Sequence, residues 1–260
     1  MKRPAFLLAA AAVTFAALTP RARAAGTLPD GFIDDLVTAN RIIANQGVVD
    51  GFGHVSVRSP LDPTRFYLAK NVAPGLVVAS DILEYDLTGT ALDSSGARQY
   101  LERFIHAAVF AARPDVNAVV HSHSPSIVPF SVSNAKLRPL YHMAGFLGDA
   151  VPVFEIRDSV GSSSDLLIRN MELGRALAKT LGKAPVALLR GHGMVVVGSN
   201  VKQAGFRSVY TETNAHLESE ALRLGNVTYL TPAEANSAAT TLDGQVDRPW
   251  EIWKREALKP

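Results

Sequence analysis

The chain has 260 residues, 47% hydrophobic and 19% charged, an ordinary globular balance with enough apolar material for one large core. Its formal charge is +2, and no stretch is rich enough in cations to point to nucleic acid as a partner. It has no cysteine, which excludes disulfides, thiolate ligands and a thiol nucleophile, so any metal site must be built from His, Asp and Glu.

Lys2 and Arg3 precede an uncharged apolar run, Ala5 to Leu18, which Thr19-Pro20 breaks and Ala22-Arg23-Ala24 follows as a small-x-small pattern. This is the three-part layout of a secretory signal. The run is shorter than the roughly 20 residues that a membrane-spanning helix needs. We therefore expect residues 1–24 to be a signal peptide cleaved after Ala24. Residues 25–260 are then one domain, exported to the periplasm and not inserted in the membrane. Cleavage removes Lys2, Arg3, Arg21 and Arg23 with no acidic residue, taking the formal charge from +2 to −2.

Along the rest of the chain, residues 30–46 carry apolar side chains at helical spacing, closed by Gly47. His54–Arg58, Arg65–Lys70 and Asp81–Leu87 read as strands, with a turn at Pro74-Gly75. Tyr100–Arg113 has the helical period and ends before Pro114. Asn117–Ser122 and Val151–Ile156 read as strands, and Asp165–Leu181 as a helix with Gly182 beyond it. Val186–Arg190 and Met194–Val197 are strand segments interrupted by Gly191-His192-Gly193. Val201–Leu224 reads as a long helix, and residues 226–260 as short pieces on the surface or on a neighbouring subunit. Several strands precede the first central helix, so the pattern is α/β with a mixed or largely antiparallel sheet. No glycine-rich phosphate loop opens a helix, and no nucleotide cofactor site is expected.

The chain has seven histidines. His121 and His123 alternate on a predicted strand, so both rings project from one face. There they can chelate a divalent ion at about 2 Å, or form a half-buried structural pair. His192, between two glycines that permit close backbone approach, supplies a third imidazole. Three neutral ligands leave an open coordination position, the layout of a catalytic site. Glu102 and His106 are spaced i, i+4 on the preceding helix, where Glu102 could be a fourth ligand or a general acid/base. His106 reads as a packing or supporting residue.

Taken together, Glu102-x-x-x-His106, Arg113-Pro114-Asp115-Val116, the segment Ala118 to Pro125 and Leu188-Leu189-Arg190-Gly191-His192-Gly193 resemble the class II aldolase/adducin family. Gly53-His54-Val55-Ser56-Val57-Arg58 and Asp81 to Asp86 add to the resemblance, which covers roughly residues 30–225. It implies a three-layer α/β/α fold around a central, largely antiparallel sheet, and a homotetramer with active sites at subunit interfaces. It places the family's metal histidines on His121, His123 and His192 and its catalytic acid on Glu102. The implied ion is zinc, with manganese, cobalt or iron in some branches.

Departures narrow the function. Where sugar-phosphate aldolases hold phosphate with an Asn, a Thr/Ser-Gly loop and a Ser-Ser pair, this chain has His54, Val72-Ala73-Pro74-Gly75-Leu76 and Tyr100-Leu101. The donors suited to a dianion are largely gone. His142 stands where the aldolases have a proton-donating tyrosine. Gly-His-Val-Ser, Glu-Arg-Phe-Ile-His and Tyr-His-Met resemble the branch of hydroxy-carboxymuconic semialdehyde and dihydroxyphthalate decarboxylases. The expected function is a metal-dependent lyase that decarboxylates a hydroxy- or oxo-carboxylate derived from an aromatic compound. An ion acting as a Lewis acid would stabilise the enolate-like charge, and His142 or Glu102 would protonate carbon. Arg58 and His54 are expected to hold the substrate carboxylate, and Tyr210 is a candidate for a neighbour's site. Alternatives are an aldolase of a small non-phosphorylated aldol, an iron(II) oxygenase, and a non-catalytic adducin-like module, against which the three histidines and Glu102 argue.

Overall fold

The β-branched runs of the sequence form the sheet. In the computed structural model, which describes residues 26–259, seven strands pair. They are Gly53–Arg58 (β1), Arg65–Ala69 (β2), Ile82–Asp86 (β3), Ala118–Ser122 (β4), Val153–Phe154 (β5), Val186–Leu189 (β6) and Gly193–Gly198 (β7). Their order is β3-β2-β1-β4-β7-β6-β5, and every pairing is antiparallel except β5 with β6. The expected signal peptide and its cleavage point lie outside the described residues. Among the described residues no helix is long and apolar enough to cross a membrane.

Helices cover both faces of this sheet. They are Phe32–Asn45 (α1), Arg103–Ala112 (α2), Val128–Val132 (α3), Arg157–Val160 (α4), Met171–Leu181 (α5), Val201–Leu224 (α6), Pro232–Asp243 (α7) and Asp247–Ala257 (α8). One core joins Val55, Val57, Val120 and Val196 to Leu36, Ile42, Phe206 and Trp250 of α1, α6 and α8. The other joins Val119, Val195 and Val197 to Ile105, Val109, Leu173 and Leu177 of α2 and α5. This is the expected α/β/α arrangement. Burial on both faces explains why β4 and β7 read as continuous apolar runs rather than as alternating ones.

Strand alternation then decides what faces α2. Val55 and Val57 point to the α1/α6 side. His54, Ser56 and Arg58 therefore point to the α2 side. On β4, His121 shares the face of Val119, again toward α2. Because His54 pairs with His121 in register, two of the histidines meet on one patch of sheet.

Two segments depart from expectation. The helix expected over Asp165–Leu181 begins only at Met171, where the Asn170 side chain caps it by accepting from Leu173 N. Residues 165–170 run irregularly because the site uses their backbone groups, as described below. Of the expected short pieces over residues 226–260, the described part, 226–259, holds two helices. Thr231 and Glu234 make a reciprocal capping box with Pro232 in the first turn of α7. Trp250 and Trp253 of α8 are buried against the α1/α6 core.

The helix that carries the site is held by α5. A Cβ on Gly174 would lie 2.5 Å from Phe104 O and 2.9 Å from Ala108 Cβ of α2. Alanine gains roughly 1 kcal/mol over glycine in a helix, but this clash with backbone outweighs it. We expect Gly174→Ala to lower stability by about 1–2 kcal/mol net, read as a fall in the urea midpoint. An unchanged midpoint would show that the two helices part freely.

Candidate metal centre and its cavity

Four side chains from three parts of the fold converge at one end of β4. Their ligand atoms, one each from Glu102, His121, His123 and His192, all lie within 4.8 Å of one another. His121 comes from β4 and His123 from just beyond its last residue, and their rings are 5.1 Å apart. His192 comes from the turn between β6 and β7. Gly191 there adopts a left-handed φ of 64°, and its N–H donates to Ser131 Oγ. Gly193 must remain without a side chain, because a Cβ would collide with the Ser122 carbonyl oxygen. Glu102 sits immediately before α2 and places Oε2 at 3.3, 3.9 and 3.4 Å from Nε2 of His121, His123 and His192.

Hydrogen bonds set the imidazole tautomers. His121 Nδ1 is 3.0 Å from Met194 O, and His192 Nδ1 is 3.0 Å from Leu166 O. A carbonyl only accepts, so Nδ1 carries the proton in both rings and Nε2 is left as a lone pair. His121 Nε2 is buried with no hydrogen-bond partner. His192 Nε2 lies 2.9 Å from His123 Nε2. Burial lowers the pKa of His121, keeping it neutral. Burial alone raises the pKa of Glu102, whereas positive charge at the surrounding imidazole nitrogens, His121 foremost, holds it well below the usual carboxylate range. A carboxylate and converging lone pairs repel one another unless a cation lies between them. Ligand atoms bonded at about 2 Å to a tetrahedral ion are about 3.3 Å apart, and here Glu102 Oε2 lies 3.3 and 3.4 Å from two of the nitrogens while the whole set stays within 4.8 Å. The residues present thus fit a divalent ion.

The segment 165–170 is tied into this centre. Ile168 N donates to Glu102 Oε1 at 2.9 Å, and Leu166 O accepts from His192. Leu166 adopts a left-handed φ of 67° to do so. A helix through these residues would turn both groups inward, which accounts for its late start.

Glu102 and His123 open onto a cavity of about 440 Å³, which His54, Tyr100, Asn71, Arg98 and Phe52 also line. Phe52 is 68% exposed and stacks on His123 at 6.0 Å. Glu102 is the sole acid among the lining residues, while Arg98, Asn71 and His54 offer donors. Arg98, Asn71 and Phe52 escape the sequence reading because they lie in connections without periodicity. The available signal is that Arg98 is the first cation after Lys70 and stands four residues before Glu102.

The expected substrate residues separate. His54 lines the cavity. Arg58 does not, and the expectation that it binds a carboxylate is corrected. It lies at the far end of β1, where its guanidinium donates to the carbonyls of Val116, Pro63, Phe110 and Arg113. There it caps the C-terminal end of α2, where a cation is favoured. His142 and Tyr210 do not line the cavity of Glu102 either. They share a separate cavity of about 370 Å³ with Arg248 and Phe206. His106 is fully buried against His54 and Ser56, a supporting position as expected. His216 is exposed.

Residues 34–219 match the family described as the class II aldolase and adducin N-terminal domain. The decarboxylase tropJ of Talaromyces stipitatus is 32% identical over 244 residues, covering 85% of this chain and 91% of that protein. The 3,4-dihydroxyphthalate decarboxylase of Arthrobacter keyseri is 27% identical over 241 residues, covering 88% of this chain and 94% of that one. The structure of L-fuculose 1-phosphate aldolase from Glaciozyma antarctica PI12 superposes with a TM-score of 0.71 at 24% identity, covering 86% of this chain and 88% of that one. At that identity the likeness is one of fold.

Two expectations test the centre. Equilibrium dialysis against zinc should load about one ion per chain, and His121→Ala or His192→Ala should weaken binding by at least about 100-fold. Arg58→Ala should cost about 2–4 kcal/mol of stability in a denaturant titration while leaving zinc affinity unchanged. A loss of zinc affinity with stability intact would return Arg58 to the site.

Proposed function

The chain belongs to the class II aldolase and adducin family, and we propose that it is a zinc-dependent carbon–carbon lyase that removes CO2 from a hydroxy- or oxo-carboxylate derived from an aromatic compound. The observation that carries this reading is the pairing of the His121/His123/His192/Glu102 cluster with a cavity whose remaining polar lining donates. Such a cavity takes an anion. Its volume, about 440 Å³, suits a single-ring acid. The tropJ and dihydroxyphthalate decarboxylases support the reaction type.

When bound, a divalent ion supplies Lewis acidity to a substrate oxygen beside the carbon that loses CO2. The chain's own residues do the rest. Arg98 and Asn71 hold the substrate carboxylate, Arg98 through its two-pronged donor edge. Phe52 walls the cavity with an exposed ring face against which a planar substrate packs. Glu102 is oriented through Oε1 by Ile168 N and turns Oε2 to the three imidazoles, so it handles a proton directly beside the place the ion would take. Held ionised, it takes the proton of the substrate hydroxyl. The carbon–carbon bond to the carboxylate then breaks, CO2 departs, and the electron pair stays on the ring carbon. Glu102 returns its proton to that carbon, and a solvent proton restores the hydroxyl.

A phosphorylated sugar is the poorer fit. The hydroxyl of Tyr100, at the first position of the family's serine pair, donates to Val72 O and is not free for a phosphate. We further propose a homotetramer. His142 and Tyr210 stand away from this chain's own cavity, so any part they play in chemistry is played in a neighbouring copy's site.

The test is CO2 release from zinc-loaded protein supplied with ortho-hydroxy aromatic carboxylates and carboxymuconic semialdehydes, with a chelator control. We expect chelator-sensitive release. Glu102→Gln should lower kcat by at least about 100-fold. Arg98→Ala should raise KM about 10- to 100-fold with a much smaller change in kcat. Zinc-loaded protein that releases no CO2 across the panel would overturn the decarboxylase reading.

A further inference from the structure

Three buried side chains beside the cavity are used neither by the metal centre nor by the proton transfer at Glu102. Ser56 Oγ lies 2.5 Å from His106 Nδ1, and His106 Nε2 lies 2.6 Å from His54 Nδ1. Ser56 and His106 are fully buried, and His54 is 4% exposed where it meets the cavity. Neither ring forms an ion pair with a carboxylate among the described residues, and a buried imidazolium without such a partner is costly, so both rings are neutral.

Counting protons fixes the direction of this chain. Each of its two hydrogen bonds holds one proton. A hydroxyl and two neutral imidazoles bring three, so one proton emerges at an end. At the serine end it would need an acceptor, and Ser56 Oγ has no other hydrogen-bond partner among the described residues. A buried hydroxyl with its proton unpaired is costly. Ser56 therefore donates to His106, His106 Nε2–H donates to His54 Nδ1, and the third proton stands on His54 Nε2, the ring nitrogen left for the cavity.

We propose that Ser56 and His106 are positioning residues that lock His54 as an N–H donor facing the cavity, where it recognises an acceptor oxygen of the anionic substrate. The proposal rests on reading this cavity as the substrate site. In the opposite tautomer His54 would turn a lone pair toward an anion. The lock has a second consequence. His54 lies 5.2 Å, ring to ring, from His121, yet with Nε2 protonated it cannot become a further metal ligand. An imidazole beside the cluster is kept for substrate.

The tautomer can be read directly, without turnover. In zinc-loaded, 15N-histidine-labelled protein, long-range 1H–15N correlation should show His54 and His106 both protonated at Nε2. Ser56→Ala should shift both toward a mixture of tautomers. It should also weaken calorimetric binding of benzoate, a non-reacting aromatic carboxylate, by about fivefold, with zinc per chain unchanged. Wild-type His54 protonated at Nδ1 would overturn the proposal, and so would Ser56→Ala with unaltered benzoate affinity. The wild-type spectrum needs no variant to fold. Because neither readout uses CO2 release, a failed decarboxylase assay leaves this test standing.

Discussion

The antiparallel pairing of β1 with β4 beneath α2 is the constraint on which the rest of the site depends. His54 opposes His121 across this pair, and strand alternation sends both toward α2. A slip of one residue would send His54, Ser56 and Arg58 into the opposite core. The helix is pinned at both ends by these same strands. Arg58 holds the carbonyls at its C-terminal end, and Glu102, just before its first turn, meets His121. Arg58 thus serves the site from a distance, by fixing where the helix lies.

The centre itself is an unfavourable arrangement that a cation resolves. A carboxylate that is 6% exposed faces imidazole nitrogens whose protons are committed elsewhere, to Met194 O and Leu166 O. Burying such a charge without a partner costs several kcal/mol. The groups that impose the arrangement are backbone atoms: two carbonyls that fix tautomers and the Ile168 N–H that turns Glu102. Binding of an ion would therefore be coupled to the order of residues 165–170, since this segment supplies two of those three groups.

What was legible in the sequence follows this division. Periodicity located the sheet strands and α1, α2 and α6, because burial on two faces leaves a strong apolar record. The His-x-His spacing and the Arg-Gly-His-Gly turn located the three imidazoles, because side-chain chemistry and glycine are written into the letters. The course of residues 165–170 was not legible. Their composition favours a helix, and only long-range bonds to Glu102 and His192 override it. Arg58 misled for a related reason. Its type suits carboxylate recognition, but the carbonyls it caps are invisible until α2 is in place. Of the two C-terminal helices, α7 is hidden despite its Thr-Pro-x-Glu capping signature because the segment after it is weakly amphipathic, whereas α8 is strongly amphipathic and its period, with Trp250 and Trp253 on the buried face, is legible.

Fold alone does not choose among the chemistries this scaffold supports. The choice lies in the few side chains around the cavity, and on the function proposed here they suit a flat acid rather than a phosphate. Tyr100 turns its hydroxyl away to Val72 O, which removes a donor from the place of the serine pair. His54 replaces an amide with a ring whose direction of donation is set from behind, by His106 and Ser56. Arg98 brings a planar cation to the rim, and Phe52 an exposed aromatic face. A tetrahedral dianion asks for many donors around one centre. A flat acid asks for one charged fork, one directed donor and an apolar wall, and the latter set is what surrounds Glu102 and His123.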